Sequence, residues 1–126
     1  MRVLLIDSHQ LVREVLAQVL AAQPGLELVG QGATGQEALA LTRRLAPDVL
    51  LITVRLPGLS GVEVTRTLLK EYPALCVIGM TLVDNPAEAE AIRAAGAHAC
   101  VSKSGLLDEL LGAVRACPGQ AKVLNF

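Results

Sequence analysis

Five side chains capable of chemistry stand at the ends of short apolar runs. They are Asp7 and Ser8 after "RVLLI", Thr53 after "DVLLI", Thr81 after "LCVIGM" and Lys103 after "HACVS". One carboxylate, one ammonium and several hydroxyls would give an acid/base pair, Asp7 with Lys103, or a polar cradle, if the chain brought them together. No His, Cys or second acid joins them as a nucleophilic or metal-ligating set. His9 and His98 fall after the first run and before the last, positions that read as exposed or capping. No GxxxxGK[ST] or GxGxxG follows the first run, so the phosphate cradles of nucleotide-binding domains are missing. "SHQLVRE" also lacks the hydroxyl and glycine run that would hold a flavin phosphate. The residues give an enzyme little to work with, and the expectation is a protein without catalytic activity.

Those residues must be positioned by the elements around them. The runs at 2–7, 26–32, 48–54, 75–81 and 98–103 read as strands. The first, third and fourth are nearly continuous in Val, Ile and Leu, as strands covered on both faces are; the second alternates, which suits an edge. Between them lie helical patterns. Val12, Val15, Leu16, Val19 and Leu20 recur at helical spacing opposite Arg13, Glu14 and Gln18. Thr34 with Glu37, Ser60 with Glu63, and Asn85 with Glu88 behind Pro86 repeat one helix-start signal three times. A last helix is expected from near Ser104 to Pro118-Gly119, with Gly112 costing it about 1 kcal/mol relative to Ala. Gly25, Gly96 and Gly119 stand where left-handed helix caps belong. Five strands alternating with five helices predict an α/β fold: a parallel sheet, helices on both faces, right-handed crossovers. The functional crevice of such a sheet lies beyond the carboxyl ends of its strands, where the five side chains stand.

The totals agree with one small domain. The chain has 126 residues, 52% hydrophobic and 18% charged, with a formal net charge of -1. That size allows one core and no second folded domain. Near-neutral charge and the lack of an aromatic row (one Tyr, one Phe, no Trp) argue against direct nucleic-acid contact. No apolar stretch approaches a membrane span and "MRVLLIDSHQ" is too short for a signal peptide, so the expectation is a cytoplasmic protein with no membrane contact. Cys76, Cys100 and Cys117 are odd in number and lack metal spacing; they read as buried or half-buried free thiols.

The stretches "RVLLIDSHQLVREVLAQVL", "GATGQEALALTRRLAPDVLLI", "RLPGLSGVEVTRTL" and "AIRAAGAHACVSK" resemble the receiver domain of bacterial two-component response regulators. The subfamily is the one that precedes LuxR-type helix-turn-helix output domains. The resemblance covers about residues 2–117 and places the receiver at 1–117, with 118–126 the start of a linker or a short tail. It implies a flavodoxin-like doubly wound sheet in the order 2-1-3-4-5. It also implies an acidic pair after the first strand and an Asp after the third that together bind Mg²⁺, the Asp accepting a phosphoryl group from a histidine kinase. Carried over, Asp7 matches the first acid, Thr81 the switch hydroxyl and Lys103 the lysine of that site.

The remaining positions depart from the pattern. Ser8 stands at the second acid, Thr53 at the phospho-acceptor and Cys100 at the aromatic that usually turns inward. A Thr hydroxyl is not ionised near pH 7 and has no base beside it, so phosphotransfer to Thr53 is expected to fail. One carboxylate in place of three is expected to leave Mg²⁺ binding weak or absent. Losing two carboxylates also removes like-charge repulsion of up to roughly 4 kcal/mol for a pair near 4 Å, so stability is expected to rise. Asp7 and Lys103 are expected to form an ion pair, with Thr53 hydrogen-bonded to Lys103 or to backbone. The expected function is a degenerate receiver: a phosphorylation-independent module that binds a protein partner or a second copy of itself. Two faces serve this in relatives, the first and last helices, and the fourth helix with the fifth strand and fifth helix. The fourth, "AEAEAIRAAGA", is small and Ala-rich. The alternatives are a sensor holding a small anion in the vacant site, and phosphotransfer to Asp7 as a substitute acceptor.

Overall fold

The computed structural model describes residues 1–82, 84–103, 105 and 107–118. The elements run β1 (Arg2–Ile6), α1 (Gln10–Ala21), β2 (Glu27–Gly32), α2 (Gly35–Leu45), β3 (Val49–Thr53), α3 (Gly61–Glu71), β4 (Cys76–Thr81), α4 (Pro86–Ala94), β5 (Ala99–Ser102) and α5 (Leu107–Arg115). The strands form one parallel sheet in the order β2-β1-β3-β4-β5. Alternating β2 is an edge, and the continuous runs β1, β3 and β4 are the interior strands, as their patterns require.

The period-2 alternation of each strand splits the core into two. Val3, Leu5, Val49, Leu51, Ile78 and Met80 face Leu16, Ala17 and Leu20 of α1 and Leu110 and Val114 of α5. Leu4, Ile6, Leu50, Ile52 and Val77 face Ala38 of α2, Val64 and Leu68 of α3 and Ile92 of α4. Helices therefore cover both faces, two on one and three on the other.

All three start signals are used. The side chains of Thr34, Ser60 and Asn85 accept the backbone N–H of Glu37, Glu63 and Glu88 at 3.1, 3.2 and 3.1 Å. Satisfying one otherwise orphaned amide in this way is worth about 1 kcal/mol per helix. Gly25 and Gly96 have φ of 81° and 114°. The end of α2 was not legible: Ala46, not a glycine, takes the left-handed cap with φ 48°. The expected helix start at Ser104, the cap at Gly119 and the tail from 119 onward lie outside the described residues.

Two expectations are corrected. Val15 was placed on the buried stripe of the first helix, yet it is 54% exposed, and its neighbour Leu11 is 75% exposed. The stripe is wider than the sheet can cover, so only Leu16, Ala17 and Leu20 go under. The second concerns the cysteines. Cys76 and Cys117, expected as free thiols, form a disulfide with a Cα–Cα separation of 6.0 Å, and Cys100 alone is free. Cys76 opens β4 and Cys117 follows α5, which returns antiparallel to the strands and so ends beside their amino ends. A pairing across 41 residues leaves no local spacing in the sequence to betray it.

Candidate functional site

Each strand end delivers its residue where the topology requires. Asp7 follows β1, Thr53 ends β3, Thr81 ends β4 and Lys103 follows β5. Asp7 is fully buried, and Thr53 and Thr81 are each 4% exposed. Lys103 Nζ lies 2.7 Å from Asp7 Oδ2, with the lysine side chain only 5% exposed. Neither atom has a directed hydrogen bond, so the attraction is charge on charge. The other carboxylate oxygen, Oδ1, accepts the backbone N–H of His9 at 2.9 Å, and His9 Nδ1 stands 3.5 Å from it. His9 itself is exposed and takes the N-cap position of α1 without a side-chain cap.

Thr53, Thr81 and Lys103 line one cavity of about 260 Å³, together with His9, Arg55, Met80, Leu82, Asn85 and Glu88. Asp7 lies behind the lysine. Ser8 is half-buried and does not line the cavity. Cys100, half-buried on β5, packs against the core on the α4 side and also stays out of it. Burial pushes the Cys100 thiol up, the Arg93 cation offsets part of this, and Glu88 adds to it. It is therefore a neutral thiol near pH 7.

Thr53 departs from its expected role as a hydrogen-bonding filler. Its Oγ1 is buried and has no protein partner. The reason is the ion pair: Lys103 is drawn to Asp7 and leaves the hydroxyl unanswered. A contact that sequence reasoning missed joins two residues of the cavity lining, where Arg55 Nε donates to Glu88 Oε2 from the β3–α3 loop to α4. The hydrogen bond to Glu88, reinforced by its charge, raises the pKa of the exposed Arg55 guanidinium above its ordinary value. The signal was present only in part. Glu88 was read as the acidic residue of a helix start, and nothing in the spacing tied it to Arg55.

Mg²⁺ asks for several hard anionic oxygens in an octahedral shell. Asp7 is the one carboxylate among the strand-end residues, and both of its oxygens already face cationic or N–H groups. Among the described residues no group of three His, Cys, Asp or Glu side chains could hold a metal ion. The donor set does not fit the ion. The Thr53 hydroxyl has no hydrogen-bonded base that would activate it as a nucleophile.

The family model described as response regulator receiver domain matches residues 3–115. The chain is similar to the response regulator GacA of Pseudomonas viridiflava, 39% identical over 114 residues that cover 90% of this chain and 53% of that protein. It is similar to the transcriptional regulatory protein LiaR of Bacillus subtilis, 35% identical over 115 residues covering 91% and 54%. The chain thus spans about half the length of the curated relatives it matches. Among solved structures, a LuxR-family two-component response regulator from Aurantimonas superposes with a TM-score of 0.86 at 33% identity, over 91% of this chain and 82% of that one. The signal receiver domain of NarL from Mycobacterium tuberculosis gives 0.84 at 30% identity, over 92% and 94%. No helix among the described residues is long and apolar enough to cross a membrane.

Proposed function

The chain belongs to the response regulator receiver domains, and from that premise we propose that it is an atypical receiver whose signalling does not depend on aspartyl phosphorylation. It regulates through its surfaces, as a non-catalytic cytoplasmic module controlling a DNA-binding output domain in a transcription regulator. The observation that carries this reading is Thr53 at the end of β3, a buried hydroxyl with no base, beside a lysine already neutralised by Asp7. An acyl-phosphate cannot form on an alcohol, and the ammonium that would steady phosphoryl oxygens has its counter-charge in place. The working faces in this reading are α1 with α5 and α4 with β5 and α5. The first carries the exposed apolar side chains Leu11, Val15 and Leu107.

A small anion in the cavity is the weaker reading, because both cations at hand, Lys103 and Arg55, are held by carboxylates. Asp7 as a substitute acceptor fares no better, being fully buried beneath Lys103.

Radiolabelled acetyl phosphate with Mg²⁺ tests the proposal. The wild-type chain is expected to take up no label, and the Ser8→Asp/Thr53→Asp double variant, with its carboxylates restored, to be labelled at position 53. Label on wild-type Asp7 or Thr53 would overturn the reading.

A further inference from the structure

We propose that Cys76 and Cys117 are a reversible thiol–disulfide pair, exchanged by glutathione or a thioredoxin-class dithiol, that sets how firmly α5 is held to the sheet. The proposal stands apart from phosphorylation and does not require Thr53 to be inert. The sulfurs join the first residue of β4, an interior strand, to a residue just past α5. Both cysteines belong to the core on the α1/α5 side, 4% and 6% exposed.

Among the described residues the other anchors of the last helix are apolar packing and exposed polar contacts, with Leu111 and Ala113 packed partly against the core. Its nine residues bury only Leu110 and Val114. At its far end Arg115 reaches Gln23 Oε1 at 3.2 Å and Pro24 O at 3.5 Å, both exposed contacts. Polar contacts in water hold an element weakly, so the covalent link is the firm one. Its removal leaves the fold possible, because a thiol packs as a small apolar group. When reduced, Cys117 also has the Ala113 carbonyl 3.6 Å from its sulfur as an acceptor. Two compatible states that differ in the hold on one helix are what a switch needs, and α5 carries Leu107 of the exposed apolar face. Disulfides that do occur in a reducing cytoplasm are commonly of this redox-responsive kind.

The exchange balances. To close the pair, the Cys117 thiolate attacks one sulfur of glutathione disulfide and expels a glutathione thiolate; the Cys76 thiolate then attacks Cys117 Sγ and expels the second. Two protein protons are lost and two electrons pass to glutathione. To open it, a dithiol's thiolate attacks Cys117 Sγ and releases Cys76 as thiolate, and the dithiol's second sulfur then displaces Cys117 as its own disulfide forms. Both sulfurs are buried, and Cys117 is the easier to uncover because it stands past the end of α5 whereas Cys76 opens an interior strand. Cys100 packs in the core on the opposite, α4 side of the sheet from the pair and is a poor competitor.

The test equilibrates the full chain in glutathione buffers from reduced to oxidised, alkylates free thiols, maps linked peptides by mass spectrometry and follows amide exchange. The expected count falls from three thiols to one, with Cys76 linked to Cys117. Reduction is expected to speed exchange in Leu107–Arg115 at least tenfold and leave β1, β3 and β4 unchanged. A Cys117→Ser variant should exchange fast in α5 whatever the buffer; reduced wild type carries the same comparison if that variant fails to fold. A thiol count indifferent to the buffer, links through Cys100, or an exchange change absent from α5 or spread through the sheet would overturn the proposal.

Discussion

Asp7→Ala is expected to cost the folded chain about 3–5 kcal/mol, because it leaves the Lys103 ammonium inside the protein without a counter-charge. Lys103→Met should cost about as much, by stranding the carboxylate, whereas the two changes together should cost clearly less than their sum. The asymmetry follows from desolvation: each charge has already left water, and the partner is what makes that tolerable. Urea unfolding of the wild type, both single variants and the double variant measures the coupling. Additive losses below about 1 kcal/mol each would mean that the pair behaves as an exposed one, screened by solvent.

Gly61→Ala should cost about 3 kcal/mol or more for a different reason. A Cβ at residue 61 would stand 2.4 Å from the carbonyl oxygen of Thr53 and 2.9 Å from Val54 Cα, both main-chain atoms that cannot swing aside. The first residue of α3 is pressed against the end of β3, tied by Gly61 N–H to Val54 O at 2.9 Å. This contact holds the Thr53 end of the cavity in place. Gly112→Ala in α5 is the control, since nothing lies within 4 Å of its added Cβ, and it should stabilise by up to about 1 kcal/mol. Opposite signs for the same chemical change, read by thermal or urea unfolding, would establish that backbone contact and not loss of glycine as such decides the cost.

Much of the fold is legible because its determinants are local. Apolar runs separated by capped helices specify a parallel α/β sheet, and Gly58, after Pro57 in the loop before α3, takes a left-handed φ of 74°. The strand-end rule also located Asp7, Thr53, Thr81 and Lys103. What escaped notice was set by distance in the chain or by competition in space. Cys76 and Cys117 meet only because α5 runs back along the sheet. Arg55 meets Glu88 only because the β3–α3 loop and the start of α4 share one end of the sheet. The helical period of the first helix identified its inner face but not its width, so Val15 was placed inside when the two-helix layer leaves it out. The isolation of Thr53 Oγ1 is a matter of which partner wins Lys103, and no pattern of residue types ranks a carboxylate and a hydroxyl at an unknown distance.

In the proposed function the strand-end site binds neither metal nor phosphoryl groups, and regulation runs through surfaces. A Mg²⁺ titration with and without beryllofluoride, following backbone amide shifts at Asp7, Thr53, Thr81 and Lys103 beside the molecular mass in solution, addresses it most directly. The account predicts no saturable shift at millimolar Mg²⁺ and a mass indifferent to the mimic. A saturable shift at millimolar or lower Mg²⁺, or a change of mass when the mimic is added, would contradict it and return the site to the working receivers of its family.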